Sequence, residues 1–384
     1  MLRVIFVTAS LAPGGAERHA VTLMNRLAER GHECHAVYLR NWLPSQIERV
    51  RLRDGGTVRC LDAARYLDAR AVRDFAAHIS RIGPTAVVAA NPYALMYSRL
   101  ALHRSGVRAP LVVTFHTTLL QSAKERLQML CYRPLFWTAD CLVFVCKAQR
   151  RRWLRRGVFS RSNEMIYNGV NTEEFCDRWN AGEERALRSA LGFSDADYVI
   201  GITAWLRPEK NHLQLVDAVA ALRDRGIPAR ALMIGEGEMR GAVEARARER
   251  KVGSSIVITG FQRDVRPYIG ACDAVALCSL TETFSLAAIE AMALRRPVVH
   301  SDVGGAAEMI FPGRNGYLFP VGDTRAFVDK LAILADRAVS RRMGDEAREV
   351  VETLFSEKTM VDRYERMLME LGRAPVGATE AVIH

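Results

Sequence analysis

Short apolar, β-branched runs alternate with amphipathic helical stretches along the whole of this 384-residue chain. Continuously apolar strands that are separated by helices are typical of parallel sheets covered on both faces. The strand-like runs of the first half are residues 4–8, 34–39, 86–89, 111–115 and 142–145. Those of the second half are residues 199–203, 231–234, 256–259, 274–277 and 297–300. Two such series predict an α/β protein with two doubly wound parallel-sheet domains.

The length of the chain also favours two domains, because it exceeds the size at which one hydrophobic core usually keeps growing. Polar and charged residues around 168–193 mark the break between the two series. We therefore predict an N-terminal domain over residues 1–175 and a C-terminal domain over residues 190–354. The periodic segment 355–371 predicts a final helix, and residues 372–384 are expected to form a flexible tail.

The positive charge is unevenly distributed. Residues 1–180 hold 27 Lys and Arg against 14 Asp and Glu, a net charge of +13, whereas the remainder holds 27 against 29. A basic half indicates an acidic partner, such as an anionic membrane, a phosphorylated acceptor or nucleic acid. The residues of the most basic run are Arg150, Arg151, Arg152, Trp153, Arg155 and Arg156. We expect this run to dock on an anionic membrane; the alternative is a solvated helix face with Trp153 packed inward.

Other sequence features restrict the location and the partners. No segment approaches the ~18 uninterrupted apolar residues of a membrane span, and the N-terminus lacks a signal-peptide pattern. We expect a cytoplasmic protein on the inner face of the cell membrane. The eight cysteines form no C-x-x-C pair, so we expect free thiols and no metal site. Aromatic residues are not interleaved with the basic run as a stacking platform, so nucleic acid is not an expected partner.

The most informative segment is 282–290, with the sequence ETFSLAAIE. It follows a predicted strand and leads into a predicted helix over residues 286–296, and ligands of doubly wound sheets bind at the carboxyl ends of strands. Ser285 is a good capping residue, and the first amides of a helix attract an anion. The flanking carboxylates suit a sugar (Glu282) and the ribose of a nucleoside (Glu290).

Two other strand ends carry candidate side chains. Arg207 and Lys210 follow the strand predicted at residues 199–203, three residues apart at a turn into a helix. Two such cations suit a diphosphate, because Arg binds oxygens bidentately and Lys is a compact charge. His116 ends the strand predicted at residues 111–115, so we expect its imidazole at the ligand-binding edge of the sheet.

Two glycine-containing loops also follow strands. Gly14 and Gly15 precede a helix, and Gly235-Glu236-Gly237 follows the strand at residues 231–234. Glycine allows close approach of a ligand to the backbone, but a plain tight turn is an equally good interpretation of each loop. The dinucleotide fingerprint G-x-G-x-x-G is absent from the first loop, which argues against a nicotinamide oxidoreductase.

Taken together, these residues resemble the retaining glycosyltransferases of the GT-B fold that form family 4. The motifs that carry the resemblance are Gly14-Gly15, His116, Asn168-Gly169-Val170, Arg207 with Lys210, Gly235-Glu236-Gly237, and Glu282 with Glu290. Residues 301–308 look like the loop that follows the last motif in that family, although a proline commonly stands where Ala307 or its neighbour is found. The resemblance covers roughly residues 1–371.

The resemblance implies two Rossmann-like domains facing across a cleft, with the last helix packing back on the first domain. The C-terminal domain would bind a nucleotide-sugar, with a UDP-sugar expected, and the N-terminal domain would bind the acceptor. It also implies retaining hexosyl or N-acetylhexosaminyl transfer without metal or cofactor, since the nucleotide-sugar is a co-substrate. With the basic half, a polyprenyl-diphosphate-linked or lipopolysaccharide-type acceptor is expected. The alternatives are a non-hydrolysing UDP-sugar epimerase of the same fold and a nucleic-acid-binding protein.

The resemblance also assigns the site residues. The predicted catalytic residues are His116, Arg207, Lys210 and Glu282. The predicted donor-binding residues are Gly14, Gly15, Gly235, Glu236, Phe284, Ser285, Leu286 and Glu290.

Overall fold

The chain divides into two compact units. The computed structural model describes residues 1–12, 14–41, 47–53, 55–117, 122–176, 178 and 181–373. Unit 1 consists of Met1–Asn168 and Met360–His384, and unit 2 of Gly169–Thr359. Of the predicted tail, residues 374–384 lie outside the described residues, while residues 372 and 373 belong to the last helix.

Unit 1, over its described residues, contains a seven-stranded parallel sheet in the order β3-β2-β1-β4-β5-β6-β7. Its strands are β1 (Arg3–Thr8), β2 (Glu33–Tyr38), β3 (Val58–Cys60), β4 (Ala86–Ala90), β5 (Leu111–Phe115), β6 (Cys141–Phe144) and β7 (Ser162–Met165). Its helices are α1 (Gly15–Glu29), α2 (Ala69–Ile82), α3 (Asn91–Ser105), α4 (Ala123–Trp137) and α5 (Lys147–Leu154).

Unit 2 repeats this plan in its described part with a six-stranded parallel sheet in the order β10-β9-β8-β11-β12-β13. Its strands are β8 (Tyr198–Thr203), β9 (Ala229–Ile234), β10 (Ile256–Ile258), β11 (Ala274–Leu277), β12 (Val298–Ser301) and β13 (Gly316–Phe319). Its helices are α6 (Ala181–Ala190), α7 (His212–Asp224), α8 (Arg240–Glu249), α9 (Arg266–Gly270), α10 (Leu286–Ala293), α11 (Ala306–Met309), α12 (Thr324–Leu334) and α13 (Arg337–Leu354). The last helix, α14 (Glu357–Arg373), begins in unit 2 and continues into unit 1.

The predicted α/β fold with two parallel sheets is confirmed. The ends of each of the ten predicted strands lie within two residues of the ends of an observed strand. Three strands were not predicted: β3, β7 and β13. Each lies at an edge of its sheet. Helix α10 ends at Ala293 rather than at 296, because Arg295 adopts a left-handed conformation with φ of 56° and Pro297 follows.

Both faces of the unit 1 sheet are buried, as its continuously apolar strands require. Alternate residues of β1 point to opposite faces: Ile5 packs in one core and Phe6 in the other. The core that contains Phe6 also contains Tyr364 and Leu368 of α14. Helix α14 therefore packs against one face of the first sheet.

In each unit the strand order reverses at one point. The first strand of unit 1 lies between β2 and β4, and the first strand of unit 2 lies between β9 and β11. The loops that leave neighbouring strands on either side of such a reversal diverge and leave a crevice at the carboxyl edge of the sheet. The topology thus identifies the β1/β4 and β8/β11 edges as the places to look for ligand-binding residues.

Two further features bear on the expectations from the sequence. No helix of the described ranges is long and apolar enough to cross a membrane. All eight cysteines are free, and five of them are buried; Cys60 and Cys176 are half-buried and Cys131 is exposed.

Close helix packing in unit 2 depends on Gly344 of α13. A Cβ added there would lie 2.1 Å from the carbonyl oxygen of Arg295, whereas one added at Gly241 of α8 would meet nothing within 4 Å. We expect Gly344→Ala to lower the free energy of unfolding by roughly 1–3 kcal/mol, because the backbone must move. Gly241→Ala should instead raise it by about 0.5–1 kcal/mol. Urea unfolding of both variants checks this, and equal stabilities would contradict it.

A buried histidine makes the stability of unit 1 sensitive to pH. The Nε2 atom of His19 on α1 lies 3.2 Å from the hydroxyl of Tyr364 on α14, and both side chains are buried. Burial lowers the pKa of His19 from 6.5 to about 4. Between these pH values the unfolded chain binds a proton that the folded chain does not, so stability falls as the pH falls through this window.

Replacing this histidine should reduce the effect. The slope of the unfolding free energy against pH is proportional to the number of protons taken up on unfolding. We expect His19→Gln to lower this slope by up to about 1.4 kcal/mol per pH unit, which corresponds to one proton. Chemical denaturation at several pH values between 7 and 4 measures this slope. At pH 7, the reference, the imidazole of His19 is mainly neutral in both the folded and the unfolded chain. An unchanged slope would show that His19 is protonated normally in the folded chain.

Candidate functional site

The β8/β11 edge of unit 2 brings together two predicted catalytic residues. The chain leaves β8 through a loop and a short 3₁₀ turn, Pro208–Lys210, while Glu282 lies in the loop after β11. Lys210 Nζ donates to Glu282 Oε2 at 2.5 Å, and both side chains are about one quarter exposed. An ammonium and a carboxylate are therefore held side by side at the edge where ligands bind in such sheets.

Backbone contacts hold the Glu282 loop in place. The Leu280 N–H donates to the carbonyl of Glu209 at 2.8 Å, which ties the two loops together. Gly304 has φ of 57°, and a Cβ there would lie 2.1 Å from the carbonyl oxygen of Glu282. The Gly305 N–H donates to the Thr283 carbonyl at 2.8 Å. The loop at 301–308 thus supports the carboxylate, and only glycine fits at position 304.

Helix α10 begins directly after this loop. The Ser285 hydroxyl caps the helix by accepting from the Ala288 N–H at 3.3 Å. As first residues of the helix, Leu286 and Ala287 have no intrahelical acceptors for their N–H groups, and the helix dipole adds positive potential there. The side chain of Phe284 is buried and packs against Phe355 with ring centroids 5.6 Å apart. Phe284 can therefore serve the predicted site only through its backbone.

The other predicted cation and the second glutamate differ from Lys210 and Glu282. Arg207 is exposed, and no hydrogen bond or ion pair of its guanidinium is found within the described part of the chain. Glu290 is only 4% exposed and lies within α10. Arg207 therefore lies at the same turn as Lys210, but its guanidinium forms no ion pair with the described residues. The Glu290 carboxylate, which was predicted to bind a ribose, is largely buried.

The loop Gly235-Glu236-Gly237 contacts protein backbone. Added Cβ atoms would lie 2.0 Å from the Ala204 oxygen at Gly235 and 2.5 Å from the Leu206 oxygen at Gly237. Glu236 pairs with Arg240 at 2.7 Å. These glycines therefore let the loop after β9 lie against the loop that carries Arg207, and this accounts for their presence without a ligand.

Two buried histidines beside the ion pair were missed by sequence reasoning. His212 opens α7, and burial, followed by the charge of Lys210, lowers its pKa to about 4. His300 of β12 is fully buried, and burial lowers its pKa although its Nδ1 atom donates to the Ser301 carbonyl at 2.7 Å. Both imidazoles are thus neutral groups that add no charge to the site. Their only sequence signal was position, since one follows Lys210 closely and the other ends a predicted strand.

In unit 1, the predicted residues lie at the equivalent carboxyl edge. Gly14 and Gly15 precede and open α1 after β1, and His116 follows β5. The His116 N–H donates to Asn91 Oδ1 at 3.0 Å, and its ring lies 4.8 Å from that of His19. Burial, followed by the neighbouring imidazole, lowers the pKa of His116 well below 6.5. His116 is therefore a neutral imidazole, able to exchange hydrogen bonds but carrying no charge.

The prediction that Trp153 contacts a membrane is wrong. Its side chain is 1% exposed and packs edge-on against Phe115, and its Nε1 atom donates to the carbonyl of Thr117 at 2.8 Å. Gln149 donates to the same carbonyl at 3.0 Å. The inner face of α5 therefore holds Thr117, which follows His116, while Arg150, Arg151, Arg155 and Arg156 remain exposed and Arg152 is half-buried.

The described residues contain no group of three or more His, Cys, Asp or Glu side chains arranged to hold a metal ion. The polar groups that the β8/β11 edge offers are one ion pair, an exposed guanidinium and the start of a helix. This set can bind an anionic group and, through Glu282, accept hydrogen bonds from hydroxyls.

Comparisons with known proteins agree with this chemistry. The family model described as Glycosyltransferase Family 4 matches residues 13–174, and that described as Glycosyl transferases group 1 matches residues 197–337. The N-acetyl-alpha-D-glucosaminyl L-malate synthase of Bacillus anthracis is 25% identical over 380 residues, which cover 96% of this chain and 97% of that protein.

Shorter matches include two other bacterial proteins. The UDP-Gal:alpha-D-GlcNAc-diphosphoundecaprenol alpha-1,3-galactosyltransferase of Escherichia coli is 24% identical over 282 residues, 71% of this chain and 72% of that protein. EpsD of Bacillus subtilis (strain 168) is 29% identical over 226 residues, so that this chain spans only 58% of its length.

The solved structures show the fold. The crystal structure of Anabaena Alr3699/HepE in complex with UDP-glucose superimposes with a TM-score of 0.82 at 20% identity, covering 96% of this chain and 100% of that one. Its likeness extends over both parallel-sheet units. With the two family models matched along most of the sequence, the chain belongs to the group 1 glycosyltransferases of family 4, enzymes with the GT-B fold.

Proposed function

We propose that this glycosyltransferase moves a hexosyl or N-acetylhexosaminyl group from a UDP-sugar to a lipid-linked or other cell-envelope glycan acceptor. In this proposal the anomeric configuration is retained and no metal ion takes part. The observation that carries it is the contact at 2.5 Å between Lys210, in the turn after β8, and Glu282, in the loop that leads into the N-terminus of α10. In this proposal the Lys210 ammonium binds the diphosphate, and the neighbouring Glu282 carboxylate binds the sugar.

The diphosphate would lie against three sources of positive potential. Lys210 supplies a compact charge, Arg207 on the same turn supplies a bidentate guanidinium, and the N–H groups of Leu286 and Ala287 supply oriented dipoles. In the free chain, Glu282 partly neutralises Lys210. Binding of a diphosphate would compensate the ammonium and leave the carboxylate to accept hydrogen bonds from sugar hydroxyls.

The same groups would assist the reaction by stabilising the leaving group. The bond from the anomeric carbon to the diphosphate oxygen breaks, and the acceptor oxygen bonds to that carbon on the same face. The proton of the acceptor hydroxyl passes to the leaving phosphate oxygen, so no general base on the protein is required. Charge that builds on the departing diphosphate is then stabilised by groups already in position.

Relatives support the proposed donor and acceptor. The Anabaena protein was crystallised with UDP-glucose, and the name of the Escherichia coli relative specifies UDP-Gal and a diphosphoundecaprenol acceptor. The net charge of +13 over residues 1–180 favours an acceptor that carries diphosphate or lies on an anionic surface. A UDP-sugar epimerase would have a similar nucleotide-binding site, but its product would be an isomeric sugar and not a glycosylated acceptor.

Removal of the proposed diphosphate cation should lower turnover. We expect Lys210→Ala to reduce kcat by about 10²–10³, because one preorganised charge at the leaving group is lost. The assay is UDP release and glycolipid formation from UDP-hexoses and a diphosphoundecaprenol-linked sugar. Lys330→Ala on α12, where the ammonium lies 5.2 Å from the Tyr317 ring, is the matched control and should retain activity. Unchanged kcat in a folded Lys210→Ala protein would contradict the diphosphate assignment.

Nucleotide binding gives a second test that needs no acceptor. Because a ligand that binds only the folded state stabilises it by mass action, saturating UDP should raise the melting temperature by about 5 °C or more. GDP and ADP at equal concentration should raise it less, and Lys210→Ala should weaken the UDP effect. A larger shift with GDP or ADP would overturn UDP as the nucleotide but leave the diphosphate site intact.

A further inference from the structure

Helix α4 of unit 1 is apolar on two opposite faces. Met129, Tyr132 and Phe136 are buried, and they face the core of the unit. Leu127, Leu130, Pro134 and Trp137 are all exposed, with Leu127 65% and Leu130 50% exposed. At about 100° per residue, their spacing of three, four and three places them in one line along the helix, opposite the buried face. We call these four residues the outer stripe.

An outer stripe of this kind is unusual for a helix on a soluble surface. Surface helices direct one apolar face to the core and charged residues to water, and a helix that is apolar all round is normally buried. Contiguous exposed apolar side chains mark a site of interaction. The four side chains of the outer stripe are therefore expected to be covered by a partner.

The outer stripe continues onto a neighbouring turn. The Trp137 Nε1 atom donates to the Gly157 carbonyl at 3.0 Å, and its ring stacks on that of Phe159 with centroids 5.7 Å apart. Both rings are exposed. The indole N–H is thus satisfied by the protein, and the outer face of each aromatic ring remains exposed, an arrangement that suits the boundary between water and lipid.

Cations surround this apolar surface. On α4, Arg126 and Arg133 lie on one flank of the outer stripe and Lys124 lies on the other, by the helical period. Arg155 and Arg156 immediately precede the turn that holds Phe159, and both are exposed. The carboxylate of Glu125 forms the capping box with Ser122. The basic run singled out in the sequence therefore adjoins the outer stripe.

We infer that the outer stripe and Phe159 dock on an anionic membrane surface, with the apolar side chains at the acyl boundary and the cations at lipid phosphates. Apolar side chains flanked by cations are the pattern of helices that lie in the membrane interface. A second copy of this chain is disfavoured as the occupant, since pairing two stripes would bring like charges together. Nucleic acid is disfavoured because Leu127, Leu130 and Pro134 have no aromatic ring on which bases could stack, and the rings of Trp137 and Phe159 stack on each other.

This inference deepens the proposed function, since it places the enzyme on the membrane that would carry a lipid-linked acceptor. It stands on different residues from the diphosphate site, so the two are tested separately. If the unsubstituted protein binds membranes but transfers no sugar, the proposed function is overturned and the membrane inference is not.

The experiment is flotation of the full chain with vesicles of phosphatidylglycerol and phosphatidylcholine, and with phosphatidylcholine alone. We expect binding to the anionic vesicles that weakens as salt is raised, and little binding to the neutral ones. The double substitution Leu127→Glu with Leu130→Glu should weaken binding by roughly tenfold or more, because it removes apolar contact and adds repulsion. Arg155→Glu with Arg156→Glu should weaken it mainly at low salt.

Matched controls make the result specific. Ile333 and Leu354 are exposed aliphatic residues of unit 2, 39% and 41% exposed. The double substitution Ile333→Glu with Leu354→Glu should therefore bind vesicles as the unsubstituted chain does. Melting temperatures establish that all variants are folded. Absence of anionic-vesicle binding by the unsubstituted chain would overturn the inference, as would full binding by the Leu127/Leu130 variant. Concentration-dependent dimerisation that this variant abolishes would also overturn it, by identifying a second copy as the occupant.

Discussion

The adjacency of β8 and β11 in one parallel sheet is the constraint on which the candidate site depends. These strands pair directly although their first residues, Tyr198 and Ala274, are 76 positions apart in the sequence, so the loops that leave them meet at a single edge. The close approaches at Gly235, Gly237 and Gly304 then fix the loop backbones against one another. Lys210 and Glu282 lie 2.5 Å apart because these backbone contacts hold the two loops together.

The sequence was sufficient to predict the interior of both sheets. A parallel strand that is buried on both faces must be apolar throughout, and that signal does not depend on its neighbours. The missed strands β3, β7 and β13 all lie at sheet edges, and β7 consists of Ser162–Met165, which is mostly polar. An edge strand is covered less and is paired on one side only, so its sequence resembles that of a loop.

The directions of individual side chains were harder to predict than their positions along the chain. Phe284 and Glu236 lie after strands as expected, yet one packs on Phe355 and the other pairs with Arg240. Trp153 sits in the basic run but faces inward. A short polar helix such as α5 does not reveal which side meets the core. Helix α4 is the opposite case, because apolar residues on two faces leave no single periodic stripe for sequence analysis to detect.

The two units contain similar parallel sheets, but the two halves of the sequence differ in net charge. Residues 181–384 hold nearly equal numbers of cations and anions, so the proposed attraction of a diphosphate there would depend on a few groups close to the ligand. Contacts of a few ångströms lie well inside the screening length of about 8 Å at physiological salt. The basic excess of residues 1–180 instead acts over a broad surface, where attraction to an anionic partner depends strongly on ionic strength. Donor affinity and membrane affinity are therefore expected to respond differently to salt, since one depends on local geometry and the other on summed charge.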